Sequence, residues 1–197
     1  MSGSPFEQFA AFARERVPGM TDEELAPARR FRAAKASKGD YLTRVGDANP
    51  GSSFVMRGLV RLVIYGAGGR ERVNGFASEN ALVCPYRAML TRTTSDWSIQ
   101  TLEPTWYLAI APGVLPALAR QSRRWRDFTT RLTEEKLVAA EFRTRTLLLD
   151  DATERYRSFL EQYAAIAERV PLAQVAAYVG VTPEALSRIR RRMFAAA

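Results

Sequence analysis

The chain has 197 residues, 47% hydrophobic and 10% aromatic, enough for one ordinary domain and a small second one with a real core, and its formal net charge of +8 favours an anionic partner. It contains no His and one Cys, which excludes Ser-His-Asp and Cys-His catalysis, His-built metal or haem sites, an internal disulfide and an iron–sulfur cluster held by this chain alone. With no run of 18 apolar residues and no signal pattern at the start, it reads as a cytoplasmic protein that makes no membrane contact, binds no metal and is not an enzyme.

Residues 5–17 place Phe6, Phe9, Ala10 and Ala13 at helical spacing, and Thr21 with Glu24 forms a capping box, so two short helices open the chain. From about residue 37, Gly and Pro punctuate short apolar runs such as "SSFVMRGLVRLVIYG", the pattern of a β-sandwich or barrel. Two of these strands meet across a glycine turn at Gly66 to Gly69. Cys84, between Val83 and Pro85, reads as a small apolar residue rather than a reactive thiol.

After Pro116 the texture changes. Residues 123–149 contain no Gly or Pro, and a seam runs Trp125, Phe128, Leu132, Glu135, Ala139, Phe142, Thr146, Leu149 in alternating steps of three and four. A helix can bury such a stripe against its own domain or against a second copy. A length of ~40 Å at 1.5 Å per residue outruns what a small domain covers and favours a homodimer, with Trp125, Phe128, Leu132, Ala139, Phe142 and Leu149 in the interface. Asp150 and Asp151 then cap a further helix over 152–168, with Tyr156, Phe159, Leu160 and Tyr163 on one face.

The C-terminal stretch carries the sharpest pattern. Pro171 suits a first helical turn, Gly180 a turn with positive φ, and Thr182-Pro183 a second N-cap and N1 pair. Counting Leu172 as one, Val175 falls at four, Ala176 at five, Val179 at eight, Gly180 at nine, Val181 at ten, Leu186 at fifteen and Ile189 at eighteen. Each is the residue type a helix-turn-helix requires. The opposite face of the second helix presents Glu184, Ser187, Arg188 and Arg191. Arg188 suits a bidentate contact to guanine and Glu184 an acceptor for cytosine N4, while Arg190, Arg191 and Arg192 suit phosphates. The plainer reading of this face is a solvated surface with a Glu184–Arg188 pair one turn apart.

The whole arrangement resembles the Crp/Fnr family of bacterial transcription regulators. "KGDYLTRVGD" and "SSFVMRGLVRLVIY" look like the family's early β-roll strands, and residues 150–193 look like its hinge and DNA-reading module. The resemblance implies an α+β fold: an N-terminal β-roll (jelly-roll) sensor domain with its helices over 1–122, a dimerisation helix over 123–149, and a winged-helix-type helix-turn-helix DNA-binding domain over 150–197. It implies a homodimer on a palindromic double-stranded DNA site, with Glu184 and Arg188 matching the family's base-contacting pair, and RNA polymerase as a possible partner. Family members that bind cyclic nucleotide carry a Gly-Glu pair and an Arg followed by a small hydroxyl residue. Here Glu79 follows Ser78, and Arg87 and Arg92 lack that pairing. The expectation is therefore a regulator that does not take cyclic nucleotide in the usual way and has no cofactor, with a β domain that either senses another small molecule or serves only as a scaffold. The alternative is a ligand-sensing or protein-interaction module that has lost DNA binding.

Overall fold

The computed structural model describes residues 4–69 and 71–195. Residues 1–3 and 196–197, at the edges of the first and last expected domains, and Arg70, just after the expected glycine turn, lie outside the described residues.

Two helices open the chain: α1 (Pro5–Arg16), capped by Ser4 and Glu7 in a reciprocal box, and α2 (Asp22–Leu25), capped by Thr21 and Glu24 as its sequence predicts. Eight antiparallel strands follow: β1 (Arg32–Ala36), β2 (Tyr41–Thr43), β3 (Ser52–Arg57), β4 (Val60–Tyr65), β5 (Glu71–Ala77), β6 (Ala81–Val83), β7 (Trp97–Thr101) and β8 (Thr105–Ile110). They form two four-stranded sheets, ordered β1-β8-β3-β6 and β2-β7-β4-β5. A short helix, α3 (Tyr86–Thr91), interrupts the strands after β6. The glycine turn between β4 and β5 forms where expected, with Gly68 and Gly69 at positive φ.

Strand alternation sorts the core. Phe54, Leu82, Leu108 and Ile110 face outward from their sheet into a cluster with α1, while Val55, Val60, Val83 and Ile99 pack between the sheets. Cys84 is buried and burial pushes its thiol up to about 11, which leaves it an inert apolar residue at neutral pH.

After α4 (Val114–Gln121) runs α5 (Arg123–Leu149), 27 residues without a break. The expected seam divides along its length. Trp125, Phe128 and Leu132 are 1%, 0% and 3% exposed, sealed against Phe9, Phe12 and Phe54 of their own chain. Phe9 stands edge-on to Phe54 at 5.3 Å and to Phe128 at 6.0 Å, and Trp125 Nε1 donates to the Glu24 carbonyl at 2.8 Å. Those three residues are therefore intramolecular core and do not belong to a dimer interface. The physical reason is local: α1 lays its Phe-rich face across the sheet, and the first turns of α5 complete that layer. Glu135, also on the seam, pairs with Arg16 of α1. Further along, Leu137, Val138, Phe142, Leu147, Leu148 and Leu149 are exposed.

Asp151 caps α6 (Ala152–Gln162) with Glu154 in a third capping box, so the break between α5 and α6 falls where expected. The helix ends at Gln162, six residues short of the expected 168. Tyr163 leaves the helix and turns to the β-roll, where its hydroxyl accepts from the Phe76 N–H at 3.3 Å and its ring meets Phe76 edge-on at 5.4 Å. Residues 163–169 run in turns to α7 (Leu172–Val179) and α8 (Pro183–Ala195). Among the described residues no strand follows β8.

Candidate nucleic-acid interface

The geometry of α7 and α8 follows from their apolar positions. Val175, Ala176 and Val179 of α7 and Leu186 and Ile189 of α8 are each 5% exposed or less, and they lock the two helices together. The turn rests on Gly180, whose φ of +85° closes α7 while its N–H and that of Val181 both donate to the Ala176 carbonyl. Thr182 caps α8 through its hydroxyl, which accepts from the Ala185 N–H at 3.2 Å. Arg155 of α6 ties the module to its hinge, donating to the carbonyls of Val179 at 2.8 Å and Asp150 at 2.6 Å.

With Leu186 and Ile189 turned inward, the other face of α8 is left to solvent. Thr182, Glu184, Arg188, Arg190, Arg191 and Arg192 are exposed and Ser187 is half-buried. These seven residues, the cap and the open face together, thus sit on or beside one accessible helical surface. The Glu184 carboxyl is held below the ordinary range by its own backbone N–H and the Thr182 hydroxyl, with Arg188 contributing, so it stays an acceptor at neutral pH.

The sequence reading missed how this module is anchored. Phe76 of β5 sits among Phe159, Tyr163 and Tyr178 at ring distances of 5.4–5.9 Å, so one apolar core spans the sheet and the helix-turn-helix. Polar links surround it. Arg143 of α5, 9% exposed, donates from Nη2 to the carbonyls of Tyr178 (2.5 Å) and Val73 (3.4 Å). Arg61 of β4 reaches Gln174 at 2.6 Å. Arg169 joins Glu79 and Glu103. No local pattern marks these residues: Arg143 in "RTRTLLL" has the spacing of any solvated helix face.

No family model and no curated protein sequence matches the chain. Solved structures do. The c-di-GMP responsive global regulator CLP of Xanthomonas campestris superposes with a TM-score of 0.71 at 18% identity, over 89% of this chain and 92% of that one. A protein of Eubacterium rectale assigned to the Crp/Fnr transcriptional regulators gives 0.71 at 14% identity, over 89% and 84%. FixK2 of Bradyrhizobium japonicum gives 0.69 at 17%, over 84% and 85%. The chain has the Crp/Fnr fold.

Within that Crp/Fnr fold, Glu79 has a task of its own. One carboxylate oxygen accepts from the Gly58 N–H at 2.9 Å, and the pair of oxygens meets Arg169 of the C-terminal module. Arg87 pairs with Asp96 at 2.9 Å, and Arg92 is exposed at the end of α3. None of the described helices is long and apolar enough to cross a membrane.

Proposed function

We propose that the chain is a sequence-specific DNA-binding transcription regulator of Crp/Fnr type that acts as a homodimer on a palindromic site. The observation that carries this reading is the helix-turn-helix itself: Val175, Ala176, Val179, Leu186 and Ile189 are buried and Val181 is half-buried, while Glu184, Arg188 and Arg191 share the open face of α8. Phosphate contacts from Arg190, Arg191 and Arg192 supply affinity, and Glu184 and Arg188 read base edges.

The dimer forms through the distal half of α5. Val138, Phe142 and Leu149 repeat at four- and seven-residue spacing on a surface left exposed by the chain's own core, with Leu137 and Leu148 beside them. The pairing sets two recognition helices about one DNA turn apart, ~34 Å. The engagement of Glu79 by Arg169 and of Arg87 by Asp96 supports a regulator that does not hold cyclic nucleotide through the usual cassette. RNA polymerase is the expected partner on DNA.

Selection of bound sequences from random duplex DNA, at near-physiological salt and with no ligand added, tests the reading. A two-fold motif with half-sites one turn apart supports it. Failure to enrich any sequence, with or without added cell extract, would count against DNA binding and favour a sensing or protein-interaction module.

A further inference from the structure

At the end of the β-roll where β8 runs out and β3 begins lies a cavity of ≈ 650 Å³. Its lining comes from β1, β2, β3, β8, α4 and the segment before β1, and no residue of α5 to α8 contributes. One wall is a single rung of the first sheet. Arg32 stands opposite Ala109, and Ala109 opposite Ser53, so the three side chains share one face across β1, β8 and β3. That face points between the sheets, because Val55 lies on it two residues after Ser53 and belongs to the inter-sheet core. Thr43 approaches from the second sheet, opposite Ile99 of the same core. The small methyl of Ala109 leaves the middle of the rung open.

The polar groups of this wall find no partner in their own chain. Thr43 and Ser53 are 5% and 7% exposed and line the cavity, and neither hydroxyl makes a hydrogen bond among the described residues. Folded proteins leave few buried hydroxyls in that condition. Arg30 and Arg32 line the cavity from its exposed side, and neither forms an ion pair among the described residues. The lining contains no carboxylate. Two hydroxyl donors and two guanidiniums around one hollow suit an anionic group. The other wall is apolar. Past Gly51 and Ala111 the cavity reaches the opposite face of the sheet, where Ile110, Val114 and Leu118 line it with Phe31. Ser52, on that side, turns its hydroxyl to Met89 Sδ at 3.9 Å.

We propose that this cavity binds an unbranched aliphatic monocarboxylate of medium chain length, its carboxylate at Arg32, Ser53 and Thr43 and its chain along Ile110, Val114 and Leu118. The volume lies within the usual range for ligand pockets, about 300–1,000 Å³. A nucleotide or a sugar phosphate fits less well, because its hydroxyls need acceptors and the lining offers no carboxylate and no side-chain amide. The cavity is remote from the recognition surface of α8, and neither the site nor its test depends on DNA binding.

Calorimetric titration of the full chain with hexanoate and octanoate, alongside octanol, acetate and inorganic phosphate, tests the site. Octanoate is expected to bind saturably, with octanol at least about tenfold weaker for want of the charge and hexanoate about tenfold weaker for want of two methylenes. Acetate and phosphate do not bind at the same concentrations. Arg32→Gln and Ser53→Ala remove groups that have no partner in the chain, so both variants fold, and each weakens octanoate about tenfold. Ala109→Leu fills the open middle of the rung and abolishes binding. Leu148→Asp, on the exposed part of α5, leaves binding unchanged. Absence of saturable binding, octanol or acetate or phosphate as tight as octanoate, unchanged affinity in both Arg32→Gln and Ser53→Ala, or loss of binding in Leu148→Asp would each overturn the proposal.

Discussion

The guanidinium of Arg169 meets the carboxylate of Glu79 in a two-pronged pair, Nη1 to Oε2 and Nη2 to Oε1, each at 2.9 Å. The two residues stand 90 positions apart, one in the turns before α7 and the other between β5 and β6. Their pairing fastens the C-terminal module to the β-roll from outside, while Phe76 and its aromatic neighbours fasten it from within. The Arg169 and Gly58 hydrogen bonds outweigh burial and bring Glu79 from 4.5 down to about 2.

A carboxyl whose folded pKa is depressed contributes stability above its unfolded value and loses it as pH falls through the folded one. The Glu79 contribution is therefore intact above about pH 4.5 and is lost on descent towards pH 2. Both side chains remain about a third exposed, so solvent screening limits the effect to about 1 kcal/mol. Glu79→Gln is expected to lower the melting temperature at pH 7 and to leave it nearly unchanged at pH 2. An equal loss at both pH values would refute the ion-pair account.

Gly180 gives a cleaner test of local geometry. A Cβ added there meets nothing within 4 Å, so crowding contributes nothing to a substitution. The φ of +85° alone sets the cost, about 1–2 kcal/mol for a residue with a side chain. Gly180→Ala should destabilise the chain by that amount in denaturant unfolding and weaken DNA binding further, since the turn aims α8. A neutral substitution would mean the turn relaxes to another conformation.

The contrast between Gly180 and Arg143 shows what could be read from sequence and why. The helix-turn-helix is written in short-range chemistry: caps, a left-handed turn and apolar spacing within 18 residues. Val175, Ala176, Val179, Leu186 and Ile189 are buried at the expected positions, and Val181 is half-buried. Arg143 depends on a carbonyl 35 positions away, and a backbone acceptor leaves no mark in the sequence. The same limit explains α6. Ala164 to Ala167 would extend a helix on propensity alone, but the Tyr163 hydroxyl finds the Phe76 amide and the chain turns there. At the candidate interface, the residue types and their face were legible. The anchoring to the sheet was not.

The seam of α5 makes a related point with a direct experimental consequence. A repeat of three and four does not say which partner covers it. An unsupercoiled helix also drifts ~20° per heptad away from a seven-residue repeat, so the buried face keeps Thr146 of the seam and takes in Arg143 while Phe142 and Leu149 turn out. Leu132→Ala should therefore behave as a core truncation, costing about 2–5 kcal/mol in unfolding without a direct effect on assembly. Leu148→Asp, at a position 77% exposed, should leave the monomer folded and shift the sedimentation profile from dimer to monomer. If Leu148→Asp sediments as wild type at every concentration, the distal half of α5 is not the dimer surface.

The two classes of Arg on α8 should separate under salt and sequence. Arg188 lies one turn beyond Glu184 on the exposed face, where a guanidinium can take both acceptors of a guanine edge. Its replacement by Ala should relax preference at one base position of each half-site, by about 1–3 kcal/mol, and leave other positions intact. Arg192 lies near the end of the helix, away from the N-terminal half that reads bases. Arg192→Ala should weaken all sequences alike and make the salt slope of binding shallower by about one in each subunit, because one phosphate per half-site is no longer neutralised. Binding to a panel of single-base variants at two or more salt concentrations distinguishes these outcomes. Identical specificity profiles for the two variants would show that Arg188 is a phosphate contact and leave base reading to Glu184 and Ser187.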